Sequence, residues 1–189
     1  MEEKRELRMY FFVMYNLSPI QQGIQAGHCV EEYADKFGQS ELYKEYRKHK
    51  TWIILNGGTS NSGLVIPSTT PYTDQTKWGS MEIYEQYLLE HNIQHSSFHE
   101  PNLNDSLSAL CFICDNKVFD WENFPPFEKW AVSKHSFDSI ELGILQKGVP
   151  PYYNKFNSTV NKLYKRWVRL VGGEQNAKLK GLILGKKLA

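Results

Sequence analysis

The stretch MYFFVMY (residues 9–15) runs directly into NLSPIQQGIQAGHCVEEY (residues 16–33). The first run is short, apolar and aromatic and ends in a turn signal, which predicts a buried strand. Ser18 then has the chemistry of a helix N-cap, Pro19 suits the first helical position, and Gln21 completes a capping box of the Ser-x-x-Gln kind. The helix should run to about Phe37 and stop at Gly38. Within this helix Ile20, Gly23, Gly27, Val30, Ala34 and Phe37 recur at spacings of three and four, so they share one face. Each interior glycine costs about 1 kcal/mol against Ala, and the expected compensation is a close approach of the helix to a sheet. Gln21, Gln25, His28 and Glu32 fall on a neighbouring stripe along the helix edge.

Working outward, a polar helix is expected around Ser40 to His49, then an apolar strand at Trp52 to Leu55 ended by Asn56, Gly57 and Gly58. The text from Gly58 to Gly79 mixes Gly, Ser, Thr and Pro and reads as a long loop. Ser80 is a candidate cap for a helix with Met81, Tyr84, Tyr87 and Leu88 on its apolar face, ending near Asn92. Ile93 to Phe98 predicts a strand, HEPNLNDS a loop, and Leu107 to Cys114 a last buried strand. Strands alternating with helices point to an α/β fold, a sheet covered by helices. At WENFPPF (residues 121–127) the composition changes. An α/β domain over residues 1–117 and a helical, aromatic and basic C-terminal region over 118–189 are therefore expected, the latter packing on the core. Trp121, Phe124, Phe127, Trp130, Tyr152, Phe156, Tyr164 and Trp167 all need burial there.

Composition narrows the function classes. The 189 residues are 41% hydrophobic, 14% aromatic and 23% charged, as in a folded globular protein. No run is long and apolar enough to span a bilayer, and MEEKRELR is too polar for a secretory signal, so a cytoplasmic protein with no membrane partner is expected. Cys29, Cys111 and Cys114 make an odd set, which argues for reduced thiols. The net charge of +1 is unevenly spread. From Lys162 onward Lys162, Lys165, Arg166, Arg169, Lys178, Lys180, Lys186 and Lys187 face only Glu174. Lys165, Arg166 and Arg169 are the candidates for contact with nucleic-acid phosphates, a solvated basic face being the alternative.

Metal signals are weak, and neither a metal nor another cofactor is expected. Cys111 and Cys114 have CxxC spacing, but three residues apart on a strand they face opposite sides. His91, His95 and His99 repeat every four residues across a helix end, which breaks the geometry. No GxGxxG or Walker sequence is present. Cys29 is adjacent to His28, but neighbouring helical residues diverge by about 100 degrees, so Cys29 reads as a packed small residue and not as a nucleophile.

The succession of strand, NLSPIQQGIQAGH and later EPNLNDSLSALCFI resembles the type II peptidyl-tRNA hydrolases of archaea and eukaryotes. In that family a first strand leads to a helix written roughly G-K-x-A-A-Q-x-x-H-A, and a later strand ends in a loop beginning with Asp. Gln25 and His28 match the helix pattern, and the order of elements agrees through about residue 117. The resemblance implies a small mixed four-stranded sheet flanked by helices. Several positions depart from the family: Gln21 stands where it has a Lys considered important for activity, Glu100 where it has Asp, and Asn104 near a family Thr. The loop before Ser80 and everything after about Lys117 have no family counterpart.

Ester hydrolysis needs a positioned water, a base and donors for the oxyanion. The resemblance assigns His28 and Glu100 to catalysis and Gln21, Gln25, Asn104 and Asp105 to substrate binding. Each has a structural alternative: His28 bonded to Glu32, Gln25 fixing a loop, and Glu100 bracing the turn before Pro101. Two function classes follow. One is a peptidyl-tRNA hydrolase-like enzyme acting, without metal, on an acyl or aminoacyl ester of tRNA or a related nucleotide. The other is a non-catalytic protein that binds tRNA, a nucleotide-like small molecule or a signalling molecule, a class that includes virus-encoded capture proteins. A protein-interaction module built on the appended helices is a third option, and the family likeness allows a homodimer.

Overall fold

The computed structural model describes residues 5–61, 78–137 and 158–189. It is a mixed α/β structure with a four-stranded mixed sheet, flanking helices and further helices toward the C-terminus. The described residues fall into two compact units, residues 1–115 with 185–189, and residues 116–184.

In the first unit β1 (Leu7–Met14) leads to α1 (Pro19–Phe37), α2 (Glu41–Tyr46), β2 (Thr51–Gly58), α3 (Ser80–Glu90), β3 (His95–Glu100) and β4 (Ser106–Asp115). The sheet order is β2-β1-β4-β3. β1 runs parallel to β2 and antiparallel to β4, which pairs antiparallel with β3. Register is fixed by Phe11, which sits opposite Ile54 on one side and Cys111 on the other. Because strand side chains alternate between faces, Leu7, Met9, Phe11 and Val13 line one core with Ala109, Cys111 and Ile113 of β4. Ala26, Cys29 and Tyr33 of α1 and Tyr43 and Tyr46 of α2 complete it. On the opposite face Phe12 packs on Tyr84 of α3, ring centroids 4.5 Å apart.

The capping box forms as the sequence predicts. Gln21 N donates to Ser18 Oγ at 3.4 Å, and Ser18 N donates to Gln21 Oε1 at 3.0 Å. The packing face of α1, however, differs from the expectation. Its buried residues are Gln22, Gln25, Ala26, Cys29 and Tyr33. Val30, Ala34 and Phe37 flank that core, but Ile20 is 78% exposed. A Cβ added at Gly23 or Gly27 would meet nothing within 4 Å, so these glycines do not set a packing distance. The face turns because the two glutamines find partners: Gln22 Nε2 donates to Met14 O at 3.3 Å, and Gln25 bonds to Glu100 and Ser108. A polar side chain with its hydrogen bonds made can enter a core.

A close backbone approach does occur at Gly57. There a Cβ would collide with Met81 Sδ and lie 3.0 Å from Val13 N and O. Helix α3 starts at Ser80 with Gly79 as its N-cap, so Ser80 is not the cap expected. Its hydroxyl instead donates to Gly57 O at 2.6 Å and accepts from Thr59 N at 3.0 Å. β3 begins two residues later than the predicted strand and continues to Glu100. The predicted loop lies largely outside the described residues, as residues 62–77 are not among them.

The edge of the sheet at β2 is met by the C-terminal residues. Asn56 N donates to Lys187 O at 2.9 Å, Ala189 N donates to Ile54 O at 3.0 Å, and Leu55 bridges Leu188. Lys186 Nζ donates to Tyr84 OH at 2.5 Å and sits 4.3 Å from that ring's centroid.

The second unit comprises α4 (Asn116–Phe119), α5 (Phe127–Lys134), α6 (Ser158–Leu170) and α7 (Glu174–Ile183). Its core joins Phe124, Phe127, Trp130 and Ala131 to Val160, Leu163, Trp167, Val168, Val171 and Ala177. Trp121 and Tyr164 are half-buried, while Tyr152 and Phe156 lie outside the described residues. Lys180 is 1% exposed, donates to Lys117 O at 3.1 Å and Val118 O at 2.8 Å, and stands 4.1 Å over the Trp121 ring. No described helix is long and apolar enough to cross a membrane.

Candidate functional site

Gln25 lies midway along α1 on its sheet-facing side, where β3 and β4 pass beneath. Its Nε2 donates to Glu100 Oε2 at 2.7 Å, and its Oε1 accepts from Ser108 Oγ at 2.6 Å. Ser108 Oγ is also 3.1 Å from Phe98 O, and its single hydrogen serves the shorter contact. The buried amide therefore ties α1 to both strands. A primary amide carries two N–H hydrogens, and one remains after the bond to Glu100.

His28 follows Gln25 by one helical turn and is exposed. Its ring stacks on Phe98 of β3, with centroids 4.7 Å apart and planes 21° from parallel. Glu100 closes β3, half-buried, and caps the short 3-10 turn Pro101–Leu103 by accepting from Asn102 N at 3.2 Å. The bond from Gln25 holds the Glu100 carboxyl below the usual carboxylate range. The Asn102 donor adds to this effect, and charge on His28 contributes a smaller part. Glu100 is thus an ionised, fixed negative charge at neutral pH.

Of the residues expected at a site, Gln25, His28 and Glu100 are gathered around Phe98 and Ser108. Gln21 is exposed and engaged in the capping box. Asn104 and Asp105 are exposed on the β3–β4 connection, both with positive φ, 53° and 54°. Asn and Asp tolerate that conformation better than most residues, which explains both by backbone geometry. Asp105 O lies 2.9 Å from His99 Nδ1. Lys165, Arg166 and Arg169 are exposed on α6 in the second unit.

Ser108 and Phe98 were not among the predicted site residues. The usable signal for Ser108 is a hydroxyl between the apolar residues Leu107 and Ala109 of a buried strand, since a buried polar group must have a partner. Phe98 stands two positions before Glu100, the spacing that puts strand residues on one face. Glu32 is not His28's partner and instead approaches Lys36 at 3.7 Å. Cys29 and Cys111 are buried, with Cys29 Sγ 3.3 Å from Ser96 O and Cys111 Sγ 3.3 Å from Cys29 O. Burial pushes the Cys111 thiol up, away from nucleophilic use. Among the described residues no group of three or more His, Cys, Asp or Glu is placed to hold a metal ion.

No family model matches the chain, and no curated protein matches its sequence.

Proposed function

We propose that the chain is a cytoplasmic, peptidyl-tRNA hydrolase-like protein that acts on an acyl or aminoacyl ester of tRNA or a related nucleotide. The observation that carries this is the convergence of Gln25 and Glu100, 75 residues apart in sequence, beside an exposed His28. Hydrolysis adds water across the ester, releasing the acid and the nucleotide hydroxyl. A base must take one water proton and later return it to the leaving oxygen. Glu100, held ionised below the normal range, is a weak base at neutral pH, so the role of base falls to His28. Glu100 then fixes Gln25 through its 2.7 Å hydrogen bond. The remaining N–H of Gln25 is available to the carbonyl oxygen on which negative charge develops.

The test is incubation of the purified chain with peptidyl-tRNA and aminoacyl-tRNA, scoring cleavage and binding on the same samples. Turnover should fall by about 10²-fold or more in His28→Ala, the scale of a lost general base. It should fall less in Glu100→Gln. Undiminished turnover in His28→Ala refutes the assignment.

One observation favours capture without hydrolysis. The position where the resembled family carries a Lys is Gln21, which supplies no cation and whose oxygen is occupied by Ser18. Stoichiometric retention of an unchanged nucleotide-like ligand, lost in Gln25→Ala, is the outcome expected of that second function.

A further inference from the structure

Helix α6 sends Val160, Leu163, Trp167 and Val168 into the core of the second unit. Its other side exposes Lys162, Lys165, Arg166 and Arg169, at spacings of three and four. Such neighbours lie about 5–6 Å apart at Cβ, and each like-charge pair costs ~0.2–0.5 kcal/mol. No side chain on the helix offsets that repulsion, because STVNKLYKRWVRL contains no acidic residue, although Arg169 in the last turn is favoured by the helix dipole. Arg5–Glu45, Arg8–Glu6, Lys36–Glu32 and Lys44–Glu41 are ion-paired, and none of these pairs lies on α6. In the first unit, by contrast, Lys36 and Lys44 each have a glutamate one turn away.

A line of positive charge with no acidic residue on its own helix is complementary to a polyanion, and the surroundings decide which kind. A membrane-surface helix must bury its apolar side in lipid, whereas this helix already buries that side in protein. A single strand bound by stacking needs exposed rings beside the cations. The ring available, Tyr164, packs on Phe127 and Trp167, with centroids 5.2 and 5.8 Å away. A duplex needs neither feature, because Lys and Arg alone meet its backbone phosphates. From Lys162 to Arg169 the stripe extends about 10 Å at ~1.5 Å per residue. Over that length a duplex presents roughly six charges, at one per ~1.7 Å of axis.

We infer that the exposed face of α6 is a sequence-independent site for the phosphate backbone of an RNA stem, with Lys162 part of it. This deepens the function proposed above and rests on it in taking the ligand to be a tRNA-like RNA.

The test titrates the full-length chain against a fluorescein-labelled RNA hairpin carrying no ester, with anisotropy read across a fourfold range of salt. Contacts from all the stripe's cations predict a log–log slope near −3 to −4 and about a hundredfold loss of affinity over that range. The K162Q/K165Q/R166Q/R169Q variant should bring the slope close to zero without lowering the melting temperature, since it relieves repulsion. The milder R166Q/R169Q variant should remove about two units of slope, so the result stands even if the larger change impairs folding. Unchanged slope and affinity in both variants overturns the inference. Capture of phosphatidylserine vesicles or polyglutamate as tightly as the hairpin also overturns it, by pointing to a membrane or an acidic protein. A parallel assay on an aminoacyl mononucleotide separates the two claims. Salt-dependent hairpin binding with no cleavage of that minimal ester removes the hydrolase function alone, and His28-dependent cleavage without hairpin binding removes the α6 site alone.

Discussion

Replacing Gln25 by Ala removes the 2.7 Å bond to Glu100 and the 2.6 Å bond from Ser108 in one step. A hydrogen bond to a charged group contributes about 1.5–3 kcal/mol and a neutral one about 0.5–1.5 kcal/mol. Glu100 is half-exposed, so water replaces its lost donor and the charged bond falls at or below the foot of its range. Ser108 keeps Phe98 O as an acceptor at 3.1 Å. The expected cost is about 2 kcal/mol at neutral pH, or roughly thirtyfold in an opening equilibrium. Amide hydrogen exchange at Leu107 to Leu110 reads it within the first unit, free of events in the second. The pH dependence supplies an independent check. Glu100 titrates below its ordinary value when folded, so its contribution is present above the ordinary glutamate range and is lost as pH falls through the lowered value. The wild-type chain should therefore lose protection on acidification, and the gap to Gln25→Ala should narrow as pH falls from above the ordinary glutamate range through the lowered value. A gap that stays constant with pH, or one under about 0.5 kcal/mol at neutral pH, refutes Gln25 as the donor that holds Glu100 ionised.

Three further expectations can be checked by thermal or urea denaturation. Gly23→Ala and Gly27→Ala place a methyl group in open space on a helix, so each should stabilise the chain by up to about 1 kcal/mol, and a loss of stability would mean an unseen contact. Gly57→Ala should destabilise by about 1–3 kcal/mol, because Met81 and the Val13 backbone occupy the space of the new methyl, and a neutral result would show that α3 shifts freely on β2. Lys180→Met keeps the volume but strands the carbonyls of Lys117 and Val118 and should cost about 1–3 kcal/mol, whereas unchanged stability would show that water reaches them.

The opening of the fold was legible because its signals are local. Ser18, Pro19 and Gln21 act within one turn of one another, and the strand before them is a continuous apolar run. The packing face of α1 was misassigned because glycine counts as apolar in a periodicity, although a residue without a side chain has little to bury. Gln22 and Gln25 look like surface residues until Met14 O, Glu100 and Ser108 come into reach, and those partners arrive through the tertiary fold. Gln25, His28 and Glu100 were nameable through a family pattern; the hydrogen bond from Gln25 to Glu100 was not. A serine in an apolar strand and a phenylalanine two positions before Glu100 mark Ser108 and Phe98 only as residues that need a partner or share a face; Gln25 and His28 as those partners come from the tertiary fold. The pairing of Lys187 and Ala189 with β2 is equally silent, since three residues are too few to show a periodicity.

That pairing makes the order of synthesis matter. The N–H of Asn56 and the carbonyl of Ile54 stay unmatched until residues 187 to 189 have been made, which is after all of the second unit. During translation the β2 edge is thus an open template, the kind of unpaired strand that recruits other chains. Closing it joins segments more than 130 residues apart, a step whose chain-entropy cost is met only when the native ends arrive. A nascent chain stalled before residue 187 would therefore carry an almost finished sheet with one adhesive side.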